Sequence, residues 1–376
     1  MIDGPAMPRL AIVHERWTEP GGSENVVRAL AAEWPEAPVH VAFADPRTVA
    51  PELRGRIRAT PLDTVHRATG RRTHVPLIPL APAAMRRLRP GPVDVVVISH
   101  HAVALSAAPT FAAAGVPVVA YVHSPARWAW SPGLRAGERG GATGRAALSL
   151  LAARARAVET AAVPHVTAVV ANSTAVAGRI ARWWGVAAHV VPPPVDVRRF
   201  TPGDAPAGDY FLVAGRLVPY RRVDLAIRAA RAAGARLVIA GSGRHEPALR
   251  ALAGPETTFL GRVTDPEMVR LQRGAIATLM PGEEDFGIVP VEAMATGTPV
   301  IARAAGGALD TVVPGLSGLL LDDAPDDAFV TALADALRGF RPGDFDRGAL
   351  RAHAEGFSED LFRSRMRAVV DGVAHR

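Results

Sequence analysis

The chain has 376 residues, 49% of them apolar, a formal net charge of +7 and no cysteine. That length accommodates two domains of ordinary size, each with its own core. Without cysteine there are no disulfides, thiolate nucleophiles or cysteine-bound metals. The chain has no apolar run of about eighteen residues and no basic-plus-apolar leader, so the expectation is a cytoplasmic protein, or one lying peripherally on the inner face of the cytoplasmic membrane. All 43 basic residues are arginine, and they are unevenly spread: residues 1–200 carry a net +10 and residues 201–376 a net −3. A basic first half suits a polyphosphate, a nucleic acid or an anionic membrane. No aromatic RNP-type strand or zinc spacing accompanies it, which argues against nucleic acid. Scattered arginines that merely solvate the surface are the plain alternative.

Arg9 to Val13 (RLAIV) reads as the first strand. Gly21-Gly22 lets the backbone approach a ligand, and Ser23 is placed to cap a helix over Glu24 to Ala32. Val39 to Ala42 is a short strand. Residues 45–92 are rich in Pro and Arg, with Leu77, Ile78, Leu80 and Met85 among the charges. Helices and loops are the preferred reading, and a membrane-surface contact is the second. Val93 to Ser99 and Val116 to Val122 are continuous apolar runs, as buried parallel strands require. They end at Ser99-His100-His101 and His123-Ser124-Pro125, delivering histidines to one edge. No third ligand at metal spacing joins them, so no zinc site is expected; a strand-end histidine used only as a structural hydrogen-bonder is the alternative. Residues 136–145 are Gly-rich, Ala146 to Val163 reads as a long helix, and Val166 to Ala171 as a strand. ANSTAVAGRIARWWG at 171–185 supplies a cap, a helix and a terminal glycine. The Pro/Gly-rich stretch after Val191 is the domain linker.

Beyond the linker, Tyr210 to Ala214 is a strand ending at Gly215-Arg216. Pro219 to Arg222 starts a helix with Val223, Ile227 and Ala230 on one face. Arg216 and Arg221 stand at the strand's end, where paired guanidiniums can grip a diphosphate. Gly241-Ser242-Gly243 lacks the third glycine of a dinucleotide fingerprint. Ala275 to Met280 is a buried strand, Pro281-Gly282 turns the chain, and Glu283, Glu284 and Asp285 lead into Phe286-Gly287. The next helix has Pro290 in its first turn and Gly297 at its C-terminal cap, and a strand begins near Pro299. Such a loop, at the C-terminal end of a parallel strand and the start of a helix, is where ligands and anions bind. The acids are intelligible if the amides of Phe286, Gly287 and Ile288 take phosphates while one carboxylate holds neutral hydroxyls. Glu292, assigned to the helix's first turn, could hold a second diol. A solvated acidic loop, with Glu292 complementing the helix dipole, is the alternative.

Glu284 and Glu292, seven residues apart with Phe286-Gly287 between them, resemble the E-x7-E motif of glycosyltransferase family 4. The run EEDFGIVPVEAMATGTPVIA resembles the bacterial O-antigen and capsule mannosyltransferase branch, and the similarity extends from Gly21 to Val313 at least. The resemblance implies an α/β GT-B fold: two Rossmann-like domains with parallel sheets facing across a cleft. Residues 1–195 would form the acceptor-side domain, 196–356 the donor-binding domain, and 357–376 a helix crossing back to the first. It also implies a catalytic set of Glu284, His123, Arg216 and Arg221, with His123 beneath the transferred sugar. Gly22 would face the donor diphosphate and the acceptor. Arg216 and Arg221 would hold the diphosphate, although family members usually carry Lys where this chain has Arg221. Arg262 and Val263 would meet the base. Glu284 would hold the sugar, Phe286, Gly287 and Ile288 the phosphates, and Glu292 the ribose. The implied reaction is retaining, metal-independent and without cofactor. It moves a sugar from a nucleotide-sugar, GDP-mannose first and UDP- or dTDP-sugars second, to a saccharide, lipid-linked or small-molecule acceptor with an α-linkage. An NAD-dependent oxidoreductase, a sugar-nucleotide epimerase and an inactive donor-binding protein are the rivals.

Overall fold

The structure is a computed structural model and describes residues 7–19, 21–70, 75–89, 91–131, 142–203 and 207–375. The chain separates into two compact units, Met1–Pro192 with Phe362–Arg376, and Pro193–Leu361.

The first unit is built on β1 (Leu10–His14), β2 (Val39–Val41), β3 (Ile57–Ala59), β4 (Val95–His100), β5 (Val118–Val122), β6 (Ala168–Ala171) and β7 (His189–Val190). They form one sheet in the order β3-β2-β1-β4-β5-β6-β7, and every pairing is parallel. Alternate residues supply two cores. Ile12, Val97, Val119 and Tyr121 face the helix Gly22–Glu33 and the C-terminal helix Glu359–Ala374, whereas Val13, Ile98, Val118 and Ala120 enter a core on the opposite face. Burial of both faces is why these strands read as unbroken apolar runs. Phe362, Met366, Val370 and Val373 attach the last helix to the first of these cores.

The second unit holds β8 (Tyr210–Ala214), β9 (Arg236–Ala240), β10 (Thr257–Gly261), β11 (Ala275–Met280), β12 (Val300–Arg303) and β13 (Gly318–Leu321), in the order β10-β9-β8-β11-β12-β13. It too is wholly parallel. Each sheet therefore reverses its strand order once, between β1 and β4 and between β8 and β11. The C-terminal edges at these reversals are the binding positions of doubly wound sheets.

Several local readings need correction. The Pro/Arg-rich stretch 45–92 contributes the edge strand β3, Ile57–Ala59, whose exposed, arginine-bearing pattern hides the strand period and discourages edge pairing. Ser23 is not a cap. The helix begins at Gly22 with extended Gly21 as its N-cap, and the Ser23 hydroxyl donates to Glu24 Oε2 at 2.9 Å. Pro219–Arg221 forms a separate 3-10 turn. The helix Val223–Ala233 starts only after Arg222, whose φ of +52° breaks the path. Arg222 is held there by Asp224 and Asp326, with its closest nitrogen 2.6 Å from Asp326. Part of the Gly-rich stretch 136–145 lies outside the described residues, and the long helix runs Ala142–Ala162. Among the described residues, no helix is long and apolar enough to cross a membrane.

Candidate active site

The β8/β11 reversal collects most of the expected donor residues. Arg216 follows β8 and is exposed, and its guanidinium makes no hydrogen bond or ion pair to any described residue. Arg221 comes from the turn that follows. Its Nη2 lies 3.0 Å from Glu284 Oε2, and its Nη1 donates to the Ala214 carbonyl at 3.1 Å. Gly215 makes this possible: its φ is +118°, and a Cβ there would fall 1.9 Å from Arg221 Nη1. Glu284 and Arg221 are both 17% exposed, so the charges attract with little screening. Ala214, Gly215, Arg216, Arg221, Pro281 and Glu284 line one small depression. Two residues assigned from sequence to different parts of a donor, Arg221 to its diphosphate and Glu284 to its sugar, are thus immediate neighbours.

The loop after Glu284 is fixed from below. Gly307 N–H donates to the Glu284 carbonyl at 2.9 Å. The Phe286 side chain is a core group that packs edge-on against Phe357, which leaves only its backbone for ligand contact. The amides of Phe286, Gly287 and Ile288 make no hydrogen bond to a described residue, and Gly287, at φ +89°, turns the chain into the helix Ile288–Ala295. Three donors at a helix start make an anion cradle. Glu292 lies in this helix's second turn, not its first, because the helix begins only at Ile288. Burial pushes the Glu292 carboxyl up to about 7. Arg262 is exposed beyond β10, and Val263 packs partly against the cluster of Leu212, Val238 and Ala240.

The β1/β4 reversal assembles a second constellation. His14 Nδ1 lies 3.0 Å from Ser99 Oγ, and the same oxygen lies 2.8 Å from His123 Nε2. On its other side, His14 Nε2 is 3.5 Å from Glu24 Oε1. Burial holds His123 well below the ordinary imidazole range. Gly22 opens the helix that carries Glu24. Two functional candidates escaped the sequence reading. Glu15, 2% exposed, accepts the amides of His101, Ala102, Val103 and Ala104 at 2.7–3.1 Å. Glu159, fully buried, accepts Ala126 N at 2.8 Å, Trp130 Nε1 at 2.5 Å, Trp184 Nε1 at 3.2 Å and His100 Nε2 at 3.0 Å. It thereby secures the segment after His123. The sequence signal for Glu159 was a lone acid in the Ala/Arg-rich helix Ala142–Ala162, without any sign of its partners.

Two parallel, doubly wound units, with a basic depression at one switch point and open amides in the loop that follows it, are the architecture of a GT-B protein. Two family models match in succession: Glycosyltransferase Family 4 over residues 20–199 and Glycosyl transferases group 1 over residues 198–340. The chain belongs to the family 4 glycosyltransferases. It is similar to a D-inositol 3-phosphate glycosyltransferase of Mycobacteroides abscessus, 36% identical over 48% of this chain and 47% of that protein. A protein of the same description from Mycolicibacterium gilvum is 37% identical over 45% of this chain and 43% of its own length. The chain spans about half the length of the curated relatives it matches. Among solved structures, Anabaena HepE in complex with UDP and glucose superimposes with a TM-score of 0.68 at 18% identity, covering 97% of this chain and 100% of that one. Sucrose-phosphate synthase from Thermosynechococcus elongatus gives 0.71 at 18% identity, covering 97% and 98%. At that identity the likeness concerns the fold.

Proposed function

We propose that the chain transfers a sugar from a nucleotide-sugar to an acceptor hydroxyl with retention of configuration. The observation that carries this reading is the β8/β11 switch point, where Arg216, whose guanidinium has no partner among the described residues, and the Arg221–Glu284 pair line one depression, with the amides of residues 286–288, unbonded among the described residues, in the loop just after Glu284. Arg216 and the amides of Phe286, Gly287 and Ile288 supply charge and donors for a departing diphosphate. Glu284 accepts hydrogen bonds from sugar hydroxyls, and Glu292 takes the ribose diol. A double displacement through a carboxylate needs two carboxyl groups about 5 Å apart across the bond. In this reading Glu284 instead orients the sugar, and the donor phosphate takes the acceptor's proton on the same face.

GDP-mannose is the donor we propose, on the resemblance of the run from Glu283 to Ala302, and no metal or cofactor is assigned. The alternative is a UDP- or dTDP-sugar. D-inositol 3-phosphate, named in the relatives, is the first acceptor to try; lipid-linked saccharides at a membrane surface are the second, on the net +10 of residues 1–200. The test is a thermal-shift and turnover screen of GDP-, UDP- and dTDP-sugars. A ligand at 100 times its Kd should stabilise by about 2.7 kcal/mol. Silence toward every nucleotide-sugar and nucleoside diphosphate would refute the assignment.

A further inference from the structure

Glu24, His14, Ser99 and His123 form one hydrogen-bonded row, Glu24 Oε1–3.5 Å–His14 Nε2, His14 Nδ1–3.0 Å–Ser99 Oγ, Ser99 Oγ–2.8 Å–His123 Nε2. His14 and Ser99 are fully buried and Glu24 nearly so. Burial opposes ionisation of Glu24, but the bond from His14, the attraction of that ring when it is charged, and the bond from Ser23 together outweigh this and bring its carboxyl down to about 2. Gly21 leaves room for that carboxylate, since a Cβ there would lie 2.8 Å from Glu24 Oε2. Ser99 has a single hydroxyl proton and stands between two ring nitrogens. It donates to one and must accept from the other. The direction of the whole row is therefore set at its end.

We infer that Glu24, acting through His14 and Ser99, fixes His123 as the Nε2–H tautomer and leaves its Nδ1 as a hydrogen-bond acceptor for a ligand at the β1/β4 edge. A carboxylate can only accept, so a singly protonated His14 carries its proton on Nε2. His14 Nδ1 then takes the Ser99 proton, and Ser99 Oγ accepts from His123 Nε2–H. His123 Nδ1 has no partner among the described residues and keeps its lone pair. The group it recognises must donate a proton, as a sugar or acceptor hydroxyl does and a fluorine or methoxy group does not. Glu24, His14 and Ser99 are positioning residues. The link to turnover rests on the transferase reading, whereas the tautomer does not.

The test is long-range 1H–15N correlation on the full chain labelled with 15N-histidine, near pH 8 and thus above the ordinary imidazole pKa of about 6.5. His123→Gln identifies the His123 signals. Wild type should show Nδ1 with a pyridine-type shift and Nε2 with a pyrrole-type shift. In Glu24→Gln the amide NH2 donates to His14 Nε2, the row reverses, and His123 Nδ1 becomes pyrrole-type. Ser99→Ala cuts the row, so His123 should average between tautomers. With a donor that turns over, Glu24→Gln should lower kcat roughly ten-fold, the worth of about one hydrogen bond, with nucleoside diphosphate affinity unchanged. A pyrrole-type His123 Nδ1 in wild type, or a His123 spectrum indifferent to both variants, overturns the inference. The expected spectra without turnover on any nucleotide-sugar would sustain it and sink the transferase reading instead.

Discussion

The Arg221–Glu284 pair predicts a measurable coupling. Exposed ion pairs contribute at most about 1 kcal/mol, while breaking a buried one costs about 3–5 kcal/mol. This pair lies between: the charges are 3.0 Å apart and both side chains are 17% exposed. A charge-assisted hydrogen bond is worth about 1.5–3 kcal/mol, so a coupling of about 2 kcal/mol is expected. Arg221→Ala also removes the bond to the Ala214 carbonyl and should lose about 3 kcal/mol in all, counting about 1 for a neutral bond. Glu284→Ala should lose about 2, and the double variant about 2 less than the sum of the singles. Arg221→Lys keeps the charge but not the fork, and should keep only part of the coupling. All six tryptophans lie in the first unit, so their fluorescence does not report on this pair. Native-state hydrogen exchange of peptides covering β8 and β11 reads the right unit. Additivity of the two substitutions within about 0.5 kcal/mol would refute the pairing as described.

Other consequences are open to measurement. Glu159→Ala strips the acceptor from four donors, two buried and two half-buried; at about 1–3 kcal/mol for each buried one, with partial relaxation, the first unit should lose about 4 kcal/mol, and a loss below about 1 by tryptophan-monitored urea unfolding contradicts the geometry. Glu292 titrates near 7 in the folded chain against 4.5 unfolded, so the folded state holds the extra proton and stability should fall as pH rises from 4.5 to about 7; Glu292→Gln should flatten that slope. Ribose hydroxyls donating to Glu292 favour its ionised form, so nucleotide binding near pH 7 should release a proton; calorimetry in two buffers of different ionisation enthalpy tests this, and proton uptake would contradict the role. If arginines and amides serve the diphosphate, as proposed, turnover should survive EDTA, and complete loss in chelator reversed by magnesium or manganese would overturn that account.

Much of this was legible because parallel strands buried on both faces leave unbroken apolar runs. β8 and β11 fall on the residues expected, and the loop from Pro281 to Gly287 joins its strand and helix as read. β3 was hidden because an exposed edge strand need carry no apolar period. The hydrogen-bonding of Glu15 and Glu159 was invisible for a different reason. Their partners lie 86 and 33 residues away in sequence, at His101 and Ala126, and only the strand order brings them together. The neighbourhood of Arg221 and Glu284, 63 residues apart, follows from the same crossover. Spacing alone could assign each a role but not place them side by side.

Glu15 bears on how two similar sheets avoid competing for one ligand. Amides from His101 to Ala104 cluster at the end of β4, an arrangement that welcomes phosphate, yet the Glu15 carboxylate already occupies them. A nucleotide reaching that edge meets an acid covalently tethered in its place, which no concentration of free phosphate displaces cheaply. At the β8/β11 edge the corresponding amides are left open. One resident side chain thus makes the two edges chemically unequal: an anion meets a carboxylate at one and open amides at the other.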